Sequence, residues 1–377
     1  MFGGDRPSIH GDGVRIAVLD TGIDNQHPDL RDCIDEDAAT SKLPLDSRML
    51  DENGHGTHIA GIIAGSGRAS GGTYSGISPD ATIVPIRVHT AAGTGGEDFL
   101  IAGIEHAIEQ GVDILNYSGG EAPWGKTGGA PPWVWPKRYN NLWRAFRVAE
   151  ESGVLCVCAA GNSGDKGGSI NNPGILPNVL TVGSLDLSGK LSEGSSRGPV
   201  YLSNRLRTNE VERHENGAYV TDEITVREKP DIVVVGGAFY SVPNAWVSQQ
   251  LHVGGEIISC RPRNAAGIHP AAHLQNKGSL YGACAGTSQA TAVASGLAAL
   301  ALEYSRTQEL SLGDNPGKGL RRILEEAADP SHLEGHRNEV GRGELTWPAI
   351  RTVIDDCVAN TVRRHAVLGS RSLRLIE

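Results

Sequence analysis

Residues 13–30 read GVRIAVLDTGIDNQHPDL. Val14 to Leu19 is a short apolar run halted by Asp20-Thr21-Gly22, the pattern of a buried strand that ends in a turn. Working outward, apolar residues recur at helical spacing from His55 to Ala64, with Gly65 as the stop, and Ala81 to Val88 returns to strand character. From Asp98 to Gln110, Leu100, Ile101, Ile104, Ala107 and Ile108 fall on one helical stripe closed by Gly111. Val112 to Asn116 then reads as strand, Asn140 to Glu151 as helix, and Val154 to Ala159, Val179 to Val182 and Ile232 to Val235 as further strands. Ser288 to Tyr304, rich in Ala and Leu, has the strongest helical composition in the chain. Strands alternating with crossover helices predict an α/β fold with a parallel sheet covered on both faces.

Composition sets limits. The chain has 377 residues, 39% of them hydrophobic, and 50 glycines, enough for one large α/β domain or one domain with insertions. A formal charge of −10 without a long Lys/Arg run excludes a nucleic-acid footprint. No segment approaches the roughly 18 apolar residues of a membrane span. The opening MFGGDRPSIHGDGVRIAVLD lacks an apolar stretch after a basic start, so the expected location is cytoplasmic, or secreted if the N-terminus is truncated. The six cysteines, Cys33, Cys156, Cys158, Cys260, Cys284 and Cys357, fit neither a dense disulfide framework nor paired zinc spacing, and reduced thiols are expected. Cys156 and Cys158 alternate with Val157 and should share one side of a strand.

Four distant strings carry the groups of a serine-nucleophile acyl transfer: IAVLDTGID with Asp20, DENGHGTHIAG with His55, CAAGNSG with Asn162 and AGTSQATA with Ser288. A seryl hydroxyl needs an imidazole to take its proton, and that imidazole needs a buried carboxylate to fix its tautomer. The developing oxyanion needs donors, which the Asn162 amide and the Ser288 backbone N–H can supply. Each residue has a plainer reading alone. Asp20 could cap a helix or bind a ribose, and Ser288 could be a helix cap. His55 and His58 have zinc-binding spacing without an HExxH pattern or third ligand, and Asn162 suits a turn. Together they form one mechanism, placed where α/β sheets collect ligands, outside the carboxyl ends of the strands.

At these residues the chain resembles the subtilase family of serine peptidases. GVRIAVLDTGIDNQHPDL, DENGHGTHIAGIIAG, YSGISPDATIVPIRV, LNYSGG, AAGNSG, SSRGP, KPDIVVVGG, GTSQATAVASGLAAL and GRGELTWPAI carry the resemblance, in order, from about Gly11 to about Val353. It implies a subtilisin-like three-layer fold and a serine endopeptidase. Asp20 would be the orienting carboxylate, His55 the general base, Ser288 the nucleophile and Asn162 the oxyanion donor. It further implies that Ser118, Gly119 and Gly120 line one side of the substrate cleft, that Ala159, Ala160 and Gly161 form the opposite wall, and that Asn171 is the uncharged pocket floor. A transpeptidase or macrocyclase using the same triad, and an inactive protease-like binding module, are the alternatives.

Departures from the family pattern are equally specific. Gln289 and Ala292-Val293 stand where relatives have Met and a Pro-His pair, and Val234-Val235 replaces Ala-Pro. Asp29 matches one ligand of the family's calcium loop, but 65–72 lacks the expected Asn ligands, so no metal and no cofactor is expected. The peptidase domain is expected to span 1–355, with insertions near 121–142, 200–228 and 238–275 and a C-terminal extension at 356–377 bearing Arg363, Arg364, Arg371 and Arg374. The first insertion carries Trp124, Trp133, Trp135 and Tyr139 and is expected to form a substrate-binding rim or a partner-docking surface, or else to pack a long loop on the body. Glu121 and Asp165 are expected to be solvated loop charges, or else to favour a basic substrate residue. Family-like sequence begins about ten residues after Met1; if the chain is complete, no inhibitory propeptide is expected, and restraint by narrow specificity, an occluding insertion or a regulatory partner protein is expected instead. The partner otherwise expected is a peptide or protein substrate.

Overall fold

The computed structural model describes residues 8–44, 50–122, 134–136, 141–164, 166–203, 224–241, 250–252, 255–263, 265, 267–268 and 280–373. The run around 13–30 forms strand β1 (Arg15–Asp20) as read from its apolar residues. After the two-residue β2 (Thr40–Ser41) come α1 (His55–Ala64), β3 (Thr82–Arg87), α2 (Glu97–Glu109), β4 (Ile114–Tyr117), β5 (Val134–Pro136), α3 (Asn141–Glu151), β6 (Leu155–Ala159) and β7 (Leu180–Leu185). Then follow β8 (Val200–Ser203), β9 (Ile224–Arg227), β10 (Ile232–Val235), β11 (Phe239–Ser241), β12 (Gln250–His252), β13 (Ile257–Cys260), β14 (Tyr281–Cys284), α4 (Thr287–Thr307), α5 (Pro316–Ala327), α6 (Arg337–Val340) and α7 (Trp347–Leu373).

The central sheet has seven strands in the order β10-β7-β6-β4-β1-β3-β2, all parallel. Side chains alternate across it as the two-residue period requires. Ile16 and Val18 enter one core with residues of α1, α4, α5 and α7, while Ala17 and Leu19 enter the other with residues of α2 and α3. Cys156 and Cys158 both lie in the second core, so they share a side of β6. The result is three layers, helices on each face of a parallel sheet, as the alternation of elements predicts.

Helix α4 crosses the first core and is buried along almost its whole length. Its start at Gly286 has no side-chain cap. A cap is worth about 1 kcal/mol, whereas each fully buried Val or Leu contributes roughly 1.5–3 kcal/mol, so burial of Val293, Leu297 and Leu300 outweighs the missing cap. Gly296 lets the helix approach the 77–78 segment: a Cβ there would lie 2.6 Å from the Ile77 Cβ. Surface helix α5 uses local chemistry instead, with Asn315 accepting from the Lys318 N–H and Pro316 at its first turn.

Three smaller sheets decorate this body among the described residues. β8 and β9 pair antiparallel, β5 pairs parallel with β8, and two antiparallel pairs, β11 with β12 and β13 with β14, precede α4. Trp124, Trp133, Tyr139, Asp165 and Arg374 lie outside the described residues, as do the side chains of Trp135, Arg363, Arg364 and Arg371. α7 is continuous across residue 355, where the sequence reading begins an extension. Among the described residues no helix is long and apolar enough to cross a membrane.

Candidate active site

β1 delivers Asp20 at its carboxyl end, with the side chain 1% exposed. His55, the first residue of α1, places Nδ1 2.9 Å from both Asp20 carboxylate oxygens. The start of α1 can approach the end of β1 because residue 56 is Gly: a Cβ there would collide with the Gly22 carbonyl oxygen and touch the Asp20 Cβ. Buried Asp51 locks this junction. Its Oδ1 accepts from the Thr21 hydroxyl and the Gly54 N–H, and its Oδ2 accepts from the N–H and hydroxyl of Thr57.

Electrostatics follow from burial and pairing. Burial pushes the Asp20 carboxyl up, but the charge and hydrogen bond of His55, with help from His89 and the Thr21 N–H, hold it below the ordinary carboxylate value. Burial pulls His55 down, yet the Asp20 charge and hydrogen bond, with Asp51 behind them, raise it above the ordinary imidazole value. With Nδ1 taken, Nε2 is the ring nitrogen left over, on a side chain 24% exposed.

β4 is the parallel neighbour of β1, so its carboxyl end opens on the same edge of the sheet. There Ser118 meets Ser288, which lies in the first turn of α4 and is nearly buried. The Ser288 hydroxyl donates to the Ser118 carbonyl at 2.9 Å, and the Ser118 hydroxyl donates to the Ser288 carbonyl at 3.0 Å. A buried chain continues beneath, from Asn116 Nδ2 to Ser118 Oγ at 3.0 Å and from Ser295 Oγ to Asn116 Oδ1 at 2.9 Å. Among the described residues no hydrogen bond joins Ser288 to His55. The expected contact is replaced by one to a carbonyl lying just past the end of β4, so the hydroxyl must leave the Ser118 carbonyl before it can donate to His55.

Asn162 is oriented from α4. The Thr287 N–H and hydroxyl both donate to Asn162 Oδ1, at 3.0 and 2.9 Å, so the amide NH2 is the end that remains available. The Thr287 hydroxyl also accepts from the Gly161 N–H at 3.1 Å. In the first turn of α4 the Ser288 N–H has no carbonyl four residues back within the helix. This brings two donors to the same helix start, where the dipole favours an anion.

The two expected cleft walls emerge side by side, since β4 and β6 pair with Tyr117 opposite Cys158. Ser118, Gly119 and Gly120 follow β4; Ala159 closes β6, with Ala160 and Gly161 next. Asn171 is tied to the second wall by its N–H to the Ala160 carbonyl at 2.8 Å, and the backbones of Glu121 and Asn172 bond each other at 2.9 and 3.0 Å. Thr287 and His89 were missed in the sequence. Thr287 has a signal, its place beside the serine in AGTSQATA; His89 follows β3 with none. The His89 ring packs 5.7 Å from the Tyr117 ring, and burial lowers its basicity. His58 has turned from His55 to the carbonyls of Ile257 and Gly282, and burial drops it to about 4.

The family's calcium chemistry does not fit here. Asp29 Oδ1 accepts from the Ala69 N–H at 2.7 Å and Oδ2 from the Tyr281 hydroxyl at 2.6 Å, so its oxygens already have protein donors. His27 and Cys260 are close enough to form a potential ligand trio with Asp29. However, His27 Nε2 engages the Leu280 carbonyl and Nδ1 accepts from the Asp29 N–H, while burial holds the Cys260 thiol well above its usual pKa. One carboxylate, an engaged imidazole and a protonated thiol do not make the oxygen cage of a hard cation.

A model of the subtilase family of peptidases matches residues 11–343. The chain is 32% identical over 318 residues to the serine protease AprX of Bacillus subtilis (strain 168), a match covering 79% of this chain and 59% of that protein. It is 35% identical over 199 residues to the major intracellular serine protease of the same organism, covering 50% of this chain and 56% of the relative. The chain thus spans just over half the length of these curated relatives. Among solved structures, the protease domain of PatA aligns over 94% of this chain and 98% of its own, with a TM-score of 0.61 at 24% identity. A lanthipeptide protease aligns over 91% of this chain and 89% of its own, with a TM-score of 0.65 at 22% identity. These structures share the fold, and with the family match over most of its length, this chain belongs to the subtilase family.

Proposed function

We propose that this chain is a serine endopeptidase that hydrolyses peptide bonds through an acyl-enzyme on Ser288. The Ser288 oxygen attacks the peptide carbonyl carbon while His55 Nε2 takes its proton, and Asp20 holds the opposite ring nitrogen and stabilises the imidazolium. The carbonyl oxygen, now negative, accepts from the Asn162 amide and the Ser288 N–H. As the C–N bond breaks, His55 returns the proton to the leaving amine. Water then attacks the ester carbonyl and gives its proton to His55, which passes it to the Ser288 oxygen as the acyl C–O bond breaks, releasing the carboxylic acid and restoring the Ser288 hydroxyl.

The observation that carries this reading is the buried Asp20 carboxylate seated on His55 Nδ1, which leaves Nε2 as the base. That pair also favours a working enzyme over an inactive binding module, since desolvating a carboxylate against an imidazole is costly and such perturbed pairs cluster at functional sites. All six cysteines are free thiols, which supports a reducing, cytoplasmic setting. The test is Ser288→Ala. The variant should keep its fold by circular dichroism and lose both hydrolysis of an unfolded protein and labelling by a fluorophosphonate probe. Equal activity in the two proteins would remove the assignment.

A further inference from the structure

The expected specificity pocket has two bare backbone walls, with Gly120 on one and Gly161 on the other, and the Asn171 side chain lies against both. A Cβ on Gly161 would lie 2.5 Å from both Asn171 Cγ and Oδ1, and a Cβ on Gly120 would lie 3.0 Å from Asn171 Cβ and 3.4 Å from its Nδ2. The Asn171 carboxamide therefore fills the gap that the two glycines leave. Gly119 faces the other way, where its Cβ would meet His89 and Tyr117 at 2.9 Å, as alternation along an extended segment requires.

Resting on the acyl-enzyme reading above, the position of the acyl residue follows from short contacts. Its carbonyl carbon must reach Ser288 Oγ, which touches the Ser118 carbonyl at 2.9 Å. Its oxygen must point at Asn162, whose neighbour Gly161 is fixed to Thr287 at 3.1 Å. The side chain of that residue then enters the gap between Ser118–Gly120 and Ala160–Gly161, onto Asn171.

The backbone of Asn171 is fixed on both sides. Its own N–H holds the Ala160 carbonyl, its carbonyl accepts from the Ile175 N–H at 3.1 Å, and the next residue is bonded to Glu121 on the opposite wall. Its Oδ1 is buried without a hydrogen-bond partner, and what confines the carboxamide is its closeness to Gly120 and Gly161. We infer that Asn171 truncates the pocket and that this peptidase cleaves after small residues, glycine, alanine or serine, in preference to leucine or aromatic residues. A pocket that is too short rejects a larger group by steric overlap, which is harsher than a missing methylene.

The test uses fluorogenic peptides of one sequence differing only in the acyl residue, Ala, Leu or Phe, with rates expressed per site titrated by a fluorophosphonate. The full chain should favour Ala over Phe by about tenfold or more in kcat/KM, and Asn171→Gly should raise the Phe-to-Ala ratio by a similar factor. Should Asn171→Gly fail to fold, Asn171→Ser serves, and the wild-type ratio decides by itself. A wild-type enzyme that labels at Ser288 yet cleaves after Phe as well as after Ala overturns the pocket inference alone. A chain that does not label overturns the nucleophile assignment and the pocket inference with it.

Discussion

Thr287 donates twice to the same oxygen of Asn162, through its N–H at 3.0 Å and its hydroxyl at 2.9 Å. Because that hydroxyl also accepts from the Gly161 N–H, one side chain joins the nucleophile's helix to the loop that carries the oxyanion amide and one pocket wall. The consequence is geometric. An amide fixed at its oxygen has only its NH2 to present, and presents it in one place, which is what transition-state stabilisation requires.

Thr287→Val keeps the shape of the side chain and removes this tie. Asn162 loses one donor and the buried Gly161 N–H loses its acceptor, so kcat should fall about tenfold, the equivalent of one hydrogen bond. KM should change little, and Thr287→Ser should restore most of the rate. Steady-state kinetics on a peptide substrate check this; an unchanged kcat in Thr287→Val would show that Asn162 is oriented by other means.

The Asp20–His55 pair sets the pH response. His55 must be neutral to act as base, and its pKa lies above the ordinary value, so kcat/KM should be lost as pH falls with a midpoint above about 6.5. His58, near 4, stays neutral throughout and does not contribute to this limb. Asp20→Asn removes the charge that raises His55, moving the limb to lower pH and lowering kcat by about 10⁴. Stability has its own sign. The raised His55 contributes most below its unfolded pKa and loses that as pH rises through the folded one, while the depressed Asp20 contributes above its unfolded value and loses that as pH falls through its folded one. The stability gap between wild type and Asp20→Asn should therefore be largest in mild acid and shrink above neutrality. A gap independent of pH would contradict the pairing.

The sequence was most legible where one period dominated. Buried strands such as 15–20 and 155–159 leave continuous apolar runs, and α4 could be read from Ala and Leu. Asp20, His55, Asn162 and Ser288 stood out because the chemistry demands those residue types. The plainer readings of Asp20 and Ser288 as caps do not hold locally: Asp20 pairs with His55, and the cap position of α4 is Gly286. Side-chain direction was not legible. The Ser288 hydroxyl turned to Ser118, His58 turned to a hairpin, and the approach of Asn171 to two glycines depends on tertiary distances that no spacing encodes.

Removing divalent metal should leave this protein unchanged. Asp29 is held by Ala69 and Tyr281, so among the described residues chelation has no oxygen cage to empty there. An ion present at about a hundred times its Kd would add ~2.7 kcal/mol and raise Tm by several degrees. Melting curves with EDTA and with excess calcium should therefore superimpose. A calcium-dependent rise would mean that the Tyr281 hydroxyl yields its place. Tyr281→Phe, which leaves Asp29 Oδ2 without that donor, should by contrast destabilise the chain by about 1–3 kcal/mol.

The segment around Arg261, within an insertion that the sequence left almost uninterpreted, supports the catalytic histidine. Arg261 is buried, and its guanidinium donates to three carbonyls, those of Ile268 at 2.6 Å, Ala265 at 2.9 Å and Arg263 at 3.2 Å. That curls the loop onto the turn before α1, where the Gly267 N–H meets the Asn53 carbonyl at 2.8 Å and Ala265 lies against Gly54. Asn53 in turn accepts from the His55 N–H at 3.2 Å through its side chain. Arg261→Met keeps the apolar stem and strands two buried acceptors, the carbonyls of Ile268 and Ala265, besides the half-buried one of Arg263, so it should cost about 3 kcal/mol in denaturant unfolding. Because the loop buttresses His55 and not the substrate, kcat should fall more than KM rises, and the proton NMR signal of the His55 Nδ1–H on Asp20 should shift. Arg261→Lys, a point charge that cannot span three carbonyls, should recover only part of each effect. If Arg261→Met loses stability but leaves kcat and that resonance unmoved, the loop only packs against the turn and does not position the imidazole.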